Sequence, residues 1–529
     1  MSQVWDIDLI SPTGTSPSAD IQRIIDGFNT LRSVFSGTVE PVSADRVAYM
    51  LWADTTAGRL KMRNAANTAW IPMGELSVAN LGHLGSFSQT KTGAYAVVAT
   101  DRGSLISCTG TFTLTYTAAA TLGDGWTNIV RNDGTGVITL DANSAELIDE
   151  QLTITLGAGE TAIVYCTGTA LKTFNRIPLG AQTVNPIING SMDIWQRGTT
   201  FAITHAVPFY TADRWYANLI QAGATYTVNR STNIPTVAQA GILFNYSIEV
   251  DVGVAMTAPA IGDYAYLRQI IEGYNWRAFA QRDIVISFWV MSAKTGIHVL
   301  AISNGVDRTY PAQYTVTTAN TWENKKVAIP ASPSAGTWGF TNARGLDVLF
   351  VMASGSTNHG TANTWNSDTK FATASQVNAM DNTVNFFRIT GVKMELGSVA
   401  TPIQFVPFEE ELARCKRYYQ KSFNYTVAPV QNVGSNFGEY GFIAGKAGVV
   451  TNNSNSFPFT PIMRATPSLT IYNPAAANAF VRDTIAGTNC SASTAFPMGE
   501  ASFIVQVTTP VGTAVGNLLT FNWASDAEL

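Results

Sequence analysis

The sequence predicts an all-β protein made of several domains, with only short helical segments. Its 529 residues are too many for one hydrophobic core, and this length indicates about three or four domains. Short apolar runs with a period of two recur from residue 47 onwards, separated by Gly, Asn and Asp, which is typical of strands and tight turns. Only 13% of the residues are charged, against about 25% in ordinary soluble domains. Such a weakly charged surface is expected of a β-rich shaft or an interdigitated oligomer.

Charge and composition also exclude several classes of function. The formal net charge is −5, and Lys and Arg form no cluster, so no nucleic-acid partner is expected. No apolar run reaches the ~18 residues of a membrane span, and the N-terminus lacks the basic and apolar regions of a signal peptide. We therefore expect synthesis in the cytoplasm without membrane insertion. The four cysteines are far apart and are interpreted as reduced, buried thiols: Cys108, Cys166, Cys415 and Cys490.

A helix is predicted over Pro17 to Gly37. Its apolar residues recur at spacings of three and four, which is the seam of an amphipathic helix or a short coiled coil: Ile21, Ile24, Phe28, Leu31 and Phe35. A helix of this length is marginal alone and must bury that seam. Two partners are open, namely the chain's own domain and the same helix in sister subunits.

Strands are predicted in four stretches after this helix. Residues 47–75 contain VAYMLWAD, RLKMR and AWIPMG, and residues 86–180 contain TFTLTYT, TNIVRN, VITLDA, LTITLG and AIVYCT. The Asp-Gly turns of the second stretch supply the positive φ that tight hairpins require. Its Asp residues lack the ligand order of a calcium loop, so no metal site is predicted.

The third stretch, residues 184–408, contains five strong strand segments, spaced as in two packed antiparallel sheets: DIVISFWVMSA, HVLAISN, WENKKVAIP, LDVLFVMAS and NFFRITGVKME. A second helix is predicted over residues 407–420, with acidic residues at its start and basic residues at its end, as the helix dipole favours. Residues 421–529 return to strands in SLTIYN, SFIVQVTT and LLTFNWAS.

Several motifs in this sequence carry a resemblance to a known family. WQRG (residues 195–198) and ADRW (212–215) resemble the opening of a β-jelly-roll module of bacteriophage tail fibres, and TGVKMELG (390–397) with ATP (400–402) resembles its end. LWAD (51–54), LKMRN (60–64) and Trp70 look like the N-terminal segment of many tail-fibre proteins. FTPIMRATP (459–467) resembles the opening of the β-sandwich tip of such fibres.

The resemblance implies a homotrimeric, all-β fibre with five regions. These are a virion-attachment region with a helix and β meander (1–80), a β-rich shaft module (81–183), a carbohydrate-binding-like jelly roll (184–408), a helical linker (409–420) and a C-terminal β-sandwich tip (421–529). The N-terminus would dock on the phage tail or another virion protein. The distal domains would bind a bacterial surface glycan or outer-membrane component. Two alternatives stay open, namely a tail spike that degrades polysaccharide and a head or collar fibre with a mainly structural role.

Sugar binding needs flat ring faces flanked by amides or carboxylates. The jelly roll offers Tyr264, Tyr266, Tyr274 and Trp276 in DYAYLRQIIEGYNWR, with Asp263, Glu272 and Asn275 alongside. From these and the loop-like tryptophans, the predicted site residues are Tyr274, Trp276, Glu272, Asn275, Trp338 and Trp365. Each aromatic residue has the core of a β-sandwich as its alternative location. Arg197, Asp213 and Arg214 are interpreted as an internal ion-pair network that fixes the first strand of the module.

Catalytic motifs are missing from the sequence. It contains no H-E-x-x-H, no G-x-S-x-G and no phosphate-binding loop, and its four histidines are scattered, so neither a catalytic residue nor a cofactor or metal is predicted. A pair of glycosidase carboxylates leaves no motif, because only their separation in space matters. The tail-spike alternative therefore stays open at this point.

Overall fold

The computed structural model describes residues 36–43, 46–76, 88–157, 159–177, 184–397, 400–434 and 438–529. Strands make up 42% and helices 6% of the described residues, so the predicted all-β, multidomain fold class is confirmed. The chain divides into two compact units, Met1–Pro178 and Leu179–Leu529. The predicted helical seam lies outside the described residues: Ile21, Ile24, Phe28, Leu31 and Phe35.

A four-stranded sheet with the order β1-β2-β3-β4 forms the first described part of the chain. Its strands are β1 (Ser36–Gly37), β2 (Leu51–Asp54), β3 (Arg59–Arg63) and β4 (Trp70–Glu75). Trp52 is buried against Trp70 at a ring distance of 5.3 Å, and Lys61 Nζ lies 2.7 Å from Asp54 Oδ2. The strands predicted for residues 47–75 are confirmed.

The module predicted as a shaft, residues 88–177, consists of two sheets with the orders β11-β10-β8-β6 and β13-β12-β9-β7-β5. Its elements are β5 (Ser88–Lys91), β6 (Tyr95–Val97), a 3-10 turn (Ala99–Asp101), β7 (Leu105–Cys108), β8 (Phe112–Tyr116), α1 (Ala119–Leu122), β9 (Thr127–Asn132), β10 (Ile138–Asp141), β11 (Thr153–Leu156), β12 (Thr161–Cys166) and β13 (Leu171–Ile177). The predicted strands are confirmed, and their apolar faces share one core.

The predicted hairpins in this module are wrong. Strands β5, β7 and β9 pair in parallel, and so do β6, β8 and β10, so each successive strand pair adds one strand to each sheet. The NDGTG turn after β9 therefore carries the chain from one sheet to the other. A Cβ on Gly136 would lie 2.3 Å from the Gly110 carbonyl oxygen. A glycine is required here because the backbone of the preceding turn, at Gly110, lies against it, and not because the chain forms a hairpin.

The jelly roll, residues 184–397, contains two six-stranded sheets with only antiparallel pairing between their strands. Sheet one has the order β14-β17-β18-β25-β20-β23, and sheet two has the order β15-β16-β19-β24-β21-β22. The elements are β14 (Thr200–Thr204), β15 (Phe209–Tyr210), β16 (Trp215–Ile220), β17 (Thr225–Ser231), α2 (Val237–Ala240), β18 (Ser247–Val254), β19 (Tyr264–Glu272), α3 (Gly273–Trp276), β20 (Ile284–Ser292), β21 (Gly296–Ser303), β22 (Thr309–Val316), β23 (Glu323–Ile329), β24 (Arg344–Ser354), a 3-10 turn (Ser356–Asn358) and β25 (Phe386–Leu396).

Both sheets of the jelly roll contribute to one core. Phe350 on sheet two lies 4.9 Å from the ring of Phe288 on sheet one and 6.1 Å from Trp215. All five strand segments predicted for residues 184–408 are confirmed as β20, β21, β23, β24 and β25. Alternation along each strand therefore decides which side chains lie in the core and which lie on an outer face.

Residues 408–529, which include the predicted helical linker and the predicted tip, begin with a helix and continue as two sheets. The first sheet centres on β35, which pairs with β26, β27, β30 and β31, and the second on β34, which pairs with β28, β29 and β33. The elements are α4 (Phe408–Lys416), β26 (Tyr419–Lys421), β27 (Tyr440–Ile443), β28 (Thr451–Asn453), β29 (Phe457–Pro458), β30 (Ser468–Tyr472), β31 (Arg482–Asp483), β32 (Thr488–Asn489), β33 (Ala492–Pro497), β34 (Ser502–Thr508) and β35 (Leu518–Asp526). The predicted helix over 407–420 is shorter than expected, because the chain enters β26 at Tyr419.

Arg197 and Arg214, from the WQRG and ADRW motifs, bind the last residues of the chain. Arg197 Nη2 lies 3.1 Å from both Asp526 Oδ2 and Glu528 Oε1, and the Arg214 guanidinium is paired with Glu528. We name these four residues the C-terminal clasp. Asp213 lies 4.0 Å from Arg197, so this pair of the predicted network is confirmed, whereas Arg214 joins the network through Glu528. Its larger role is to join the jelly roll to the tip.

Candidate functional site

Three of the six predicted sugar-contacting residues share one cavity. Glu272, Tyr274 and Asn275 line a space of about 490 Å³ beside Arg417 and Tyr418. The Glu272 side chain, 1% exposed, accepts hydrogen bonds from Arg417 at 2.7 and 3.0 Å and from the Tyr418 hydroxyl at 2.6 Å. Its oxygens are therefore held by protein groups. Tyr274, 52% exposed, and the exposed Asn275 remain free to meet a ligand.

The three predicted tryptophans form a separate row at one end of the core. Trp276 is only 1% exposed and stacks on Trp338 at 5.7 Å, and Trp338 meets Trp365 edge-on at 5.9 Å. The indole N–H groups of Trp338 and Trp365 donate hydrogen bonds to backbone carbonyls. Trp276 consequently has no ring face left for a sugar, whereas Trp338 and Trp365 are partly exposed. The six residues do not form one site.

A different group of side chains lies together on the outer face of sheet two. Along β16 and β19 the residues that alternate with the core point to this face, and register pairing brings them side by side. Tyr216 is paired with Arg268, and Asn218 with Tyr266. We call this surface the tyrosine face and define it by five residues: Tyr216, Tyr264, Tyr266, Arg268 and Asp347.

The rings of the tyrosine face are held in fixed orientations. Tyr264 and Tyr266 stack with their planes 5° apart at 5.2 Å, and Phe371 meets both of them edge-on at 5.5 and 5.7 Å. The Arg268 guanidinium lies 4.6 Å from the ring centroid of Tyr216. Tyr216 and Tyr264 are partly exposed and Tyr266 is buried beneath them. Two backed, partly exposed ring faces result, and flat apolar faces are what the C–H side of a sugar ring contacts.

Polar groups surround these rings. Asn218 Nδ2 donates to the Tyr266 hydroxyl at 3.2 Å, and no group among the described residues donates to Asn218 Oδ1. Asp347 lies 3.4 Å from Arg268 Nη1 and 3.1 Å from Arg344 Nε. Burial raises the pKa of Tyr264 to about 12, so this tyrosine is a neutral hydroxyl at physiological pH. Hydroxyl, amide and guanidinium groups thus stand beside the rings, as recognition of sugar hydroxyls requires.

The signal for this face was present in the sequence as alternation. In YAYLR (residues 264–268) every second residue is a tyrosine or arginine, and Tyr216 follows the buried Trp215 on the neighbouring strand. The sequence offered Tyr264 and Tyr266 as possible sugar contacts, but the prediction preferred Tyr274 and Trp276 and did not include Tyr216. Alternation marks the two faces of a strand, but only strand order shows that β16 and β19 are neighbours.

Groups of metal ligands and membrane-spanning helices are both absent from the described ranges. No three or more His, Cys, Asp or Glu residues there are grouped so as to hold a metal ion. No helix in that part of the chain is long and apolar enough to span a membrane. The four cysteines are all described, buried and free of disulfides.

The chain is only weakly similar to known proteins. No protein-family model and no curated protein matches the sequence. Among solved structures, a family 11 carbohydrate-binding module of a cellulosomal cellulase of Clostridium thermocellum is 13% identical, with 36% of this chain and 90% of that chain covered and a TM-score of 0.20. The CBM22-1 xylan-binding domain from Paenibacillus barcinonensis is 10% identical, with 41% and 97% covered and a TM-score of 0.19. At such low TM-scores these likenesses carry no argument about the ligand of this chain.

Proposed function

We propose that this protein is a non-enzymatic fibre of a bacteriophage virion and that its tyrosine face binds a glycan on the host-cell surface. The observation that carries the binding proposal is the pair of partly exposed rings, Tyr216 and Tyr264, on the outer face of sheet two, backed by Arg268 and Tyr266. The virion location, the homotrimer and docking through the N-terminus are supported by the resemblance of the motifs to tail fibres. Weak contacts on three subunits would then add up by multivalency.

The binding proposal is tested with the full-length protein and polysaccharide purified from susceptible bacteria. Replacing Tyr216 and Tyr264 together by alanine is expected to weaken binding at least about tenfold, which corresponds to ~1.4 kcal/mol, because both exposed ring faces are lost. Tyr274→Ala, which removes an exposed tyrosine of the other cavity, is expected to leave the affinity unchanged. Binding is measured by titration calorimetry, and the reducing ends released from the same polysaccharide are measured in parallel.

Two results would contradict this proposal. If only Tyr274→Ala weakens binding, the site lies in the cavity beside Glu272 and not on the tyrosine face. If reducing ends accumulate with time, the protein is a polysaccharide-degrading tail spike, the alternative that the sequence leaves open.

The homotrimer is tested through the predicted helical seam. Exchanging Ile24 and Phe28 for aspartate is expected to lower the mass of the full-length protein in light scattering from three chains to one. Burying unpaired carboxylates between helices costs several kcal/mol. Gln22→Asp with Asn29→Asp, which adds the same charges outside the seam, is the control and should stay trimeric. A monomeric unmodified protein, or a trimeric Ile24/Phe28 variant, would refute an inter-chain seam.

A further inference from the structure

A second groove lies on the jelly roll, on the outer face of sheet one. It has a volume of about 280 Å³, and the residues that form it come from β20, β23, α2 and the segment after β25. We name it the tryptophan groove, after the partly exposed Trp289 in its floor. Because Phe288 and Val290 lie in the core, alternation places Trp289 on the opposite, outer face. The tyrosine face belongs to sheet two, so the two surfaces are separate.

The floor of the groove is shaped by a β-bulge. Ser287 pairs with Lys393 and Trp289 with Thr390, so two residues of β25 oppose one residue of β20. One of the two is Gly391, which has a φ of 65°. A Cβ at this position would lie 2.8 Å from Phe244 Cζ and 3.3 Å from Trp289 Cδ1. Bulges of this kind redirect side chains and are common beside functional sites.

Both walls of the groove are held by hydrogen bonds. On one side, Glu395 accepts from the Thr401 backbone N–H at 2.9 Å and from its hydroxyl at 2.5 Å, and Lys393 Nζ donates to the Pro402 carbonyl at 3.1 Å. On the other side, Thr236 and Gln239 form a capping box at the start of α2. The groove is therefore a built feature of the fold and not a gap between loose loops.

Several polar groups of the groove have no partner. Among the described residues, the side chains of Trp289, Asn324 and Lys326 take part in no hydrogen bond or ion pair. The neighbouring charges cancel in pairs, because Lys325 contacts Glu323 and Lys393 contacts Glu395. The residues that line the groove include one cation, Lys326, and no carboxylate. Its uncompensated charge is thus positive.

From this arrangement we infer that the tryptophan groove binds a single acidic monosaccharide unit, one that carries a carboxylate. The volume is below the range of about 300–1,000 Å³ for drug-sized ligands, which fits one sugar ring and not an oligosaccharide. The Trp289 indole would contact the C–H face of the ring, the Asn324 amide would bind its hydroxyls, and Lys326 would pair with the carboxylate. This second site goes beyond the proposed function, which uses only sheet two.

The test uses the full-length protein and two matched sugars, methyl β-glucuronide and methyl β-glucoside, which differ in the carboxylate. We expect the unmodified protein to bind the glucuronide at least about tenfold more tightly, by saturation-transfer NMR and calorimetry, a ratio that corresponds to ~1.4 kcal/mol. Lys326→Gln should abolish the preference, and Trp289→Ala should abolish binding of both sugars. Lys370→Gln, which removes an exposed lysine elsewhere on the jelly roll, is the control.

The outcomes separate this inference from the proposed function. Tyr216→Ala with Tyr264→Ala should leave glucuronide binding unchanged while polysaccharide binding falls, so either surface can fail alone. The inference is overturned if neither methyl β-glucuronide nor methyl α-sialoside binds the unmodified protein. Equal affinity for the two matched sugars, or a preference that survives Lys326→Gln, would overturn it as well. Because Lys326 is exposed, we expect its replacement to leave the fold intact.

Discussion

Replacing Arg214 by methionine is expected to destabilise the unit Leu179–Leu529 by about 3–5 kcal/mol, because it removes one of the two arginines that pair with the buried Glu528 carboxylate and leaves only Arg197. The side chains of Arg214 and Glu528 are only 1% and 4% exposed. The Arg214 guanidinium also donates to the Ile270 carbonyl at 2.5 Å and lies 3.5 Å from the ring centroid of Tyr418. One substitution therefore removes an ion pair and a ring contact between the jelly roll and the tip, and a hydrogen bond within the jelly roll.

The experiment compares denaturant unfolding of the full-length variants, followed by tryptophan fluorescence. Lys370→Met is the matched control, since Lys370 and Asp368 are 3.7 Å apart with side chains 47% and 40% exposed, and such exposed pairs contribute at most about 1 kcal/mol. Arg214→Met combined with Glu528→Gln should recover part of the loss, because the buried carboxylate that has lost one of its two arginines is gone, while Arg197 keeps Asp526 as a partner. If Arg214→Met costs no more than the control, the C-terminal clasp does not stabilise the unit.

Replacing Trp215 by alanine is expected to cost a similar amount, about 3–5 kcal/mol, for a different reason. Trp215 is fully buried in the core shared by the two sheets, and its indole N–H donates to the Asn189 carbonyl at 3.0 Å. Truncation removes apolar contacts and leaves a cavity that the packed sheets cannot close. It also removes one of the two hydrogen bonds that this carbonyl accepts, the other coming from the Met192 N–H at 3.2 Å.

Two variants make the Trp215 measurement specific. Trp215→Phe keeps most of the apolar volume and should lose clearly less stability than Trp215→Ala. Trp289→Ala removes the same side chain from an outer face, where it is partly exposed, and should change the unfolding midpoint little. Equal losses for Trp215→Ala and Trp289→Ala would mean that the core of the jelly roll does not depend on Trp215.

The sequence by itself was sufficient to predict the all-β fold class and the positions of most strands. The run of β-branched and aromatic residues in segments such as DIVISFWVMSA predicted β20, because such side chains favour a strand whatever its partners are. Period-two alternation, together with Gly and Asn at the turns, predicted β2 to β4 and the strands of the shaft module. Local pattern suffices for these elements because neighbouring residues determine them.

Pairing between strands was decided only by the tertiary structure. The Asp-Gly turns of the shaft module were predicted to be hairpins, since positive φ is what a hairpin needs. Gly136 serves instead to bring two successive turns into contact, and the strands on either side lie in different sheets. A local sequence does not distinguish these two uses of the same residues, because the difference lies in which distant strand is the neighbour.

The candidate sites show the same division. The sequence placed aromatic and amide residues in the jelly roll, but it could not separate the buried Trp276 from the partly exposed Tyr216, because the local sequence does not show which distant residues pack on either ring. The C-terminal clasp joins Arg197 to Asp526, 329 residues away, and the tyrosine face joins β16 to β19. Composition and alternation determined which side chains this protein has for binding and stability. Only the packing of the sheets determined which of them meet, because contacts between distant residues leave no periodic trace in the chain.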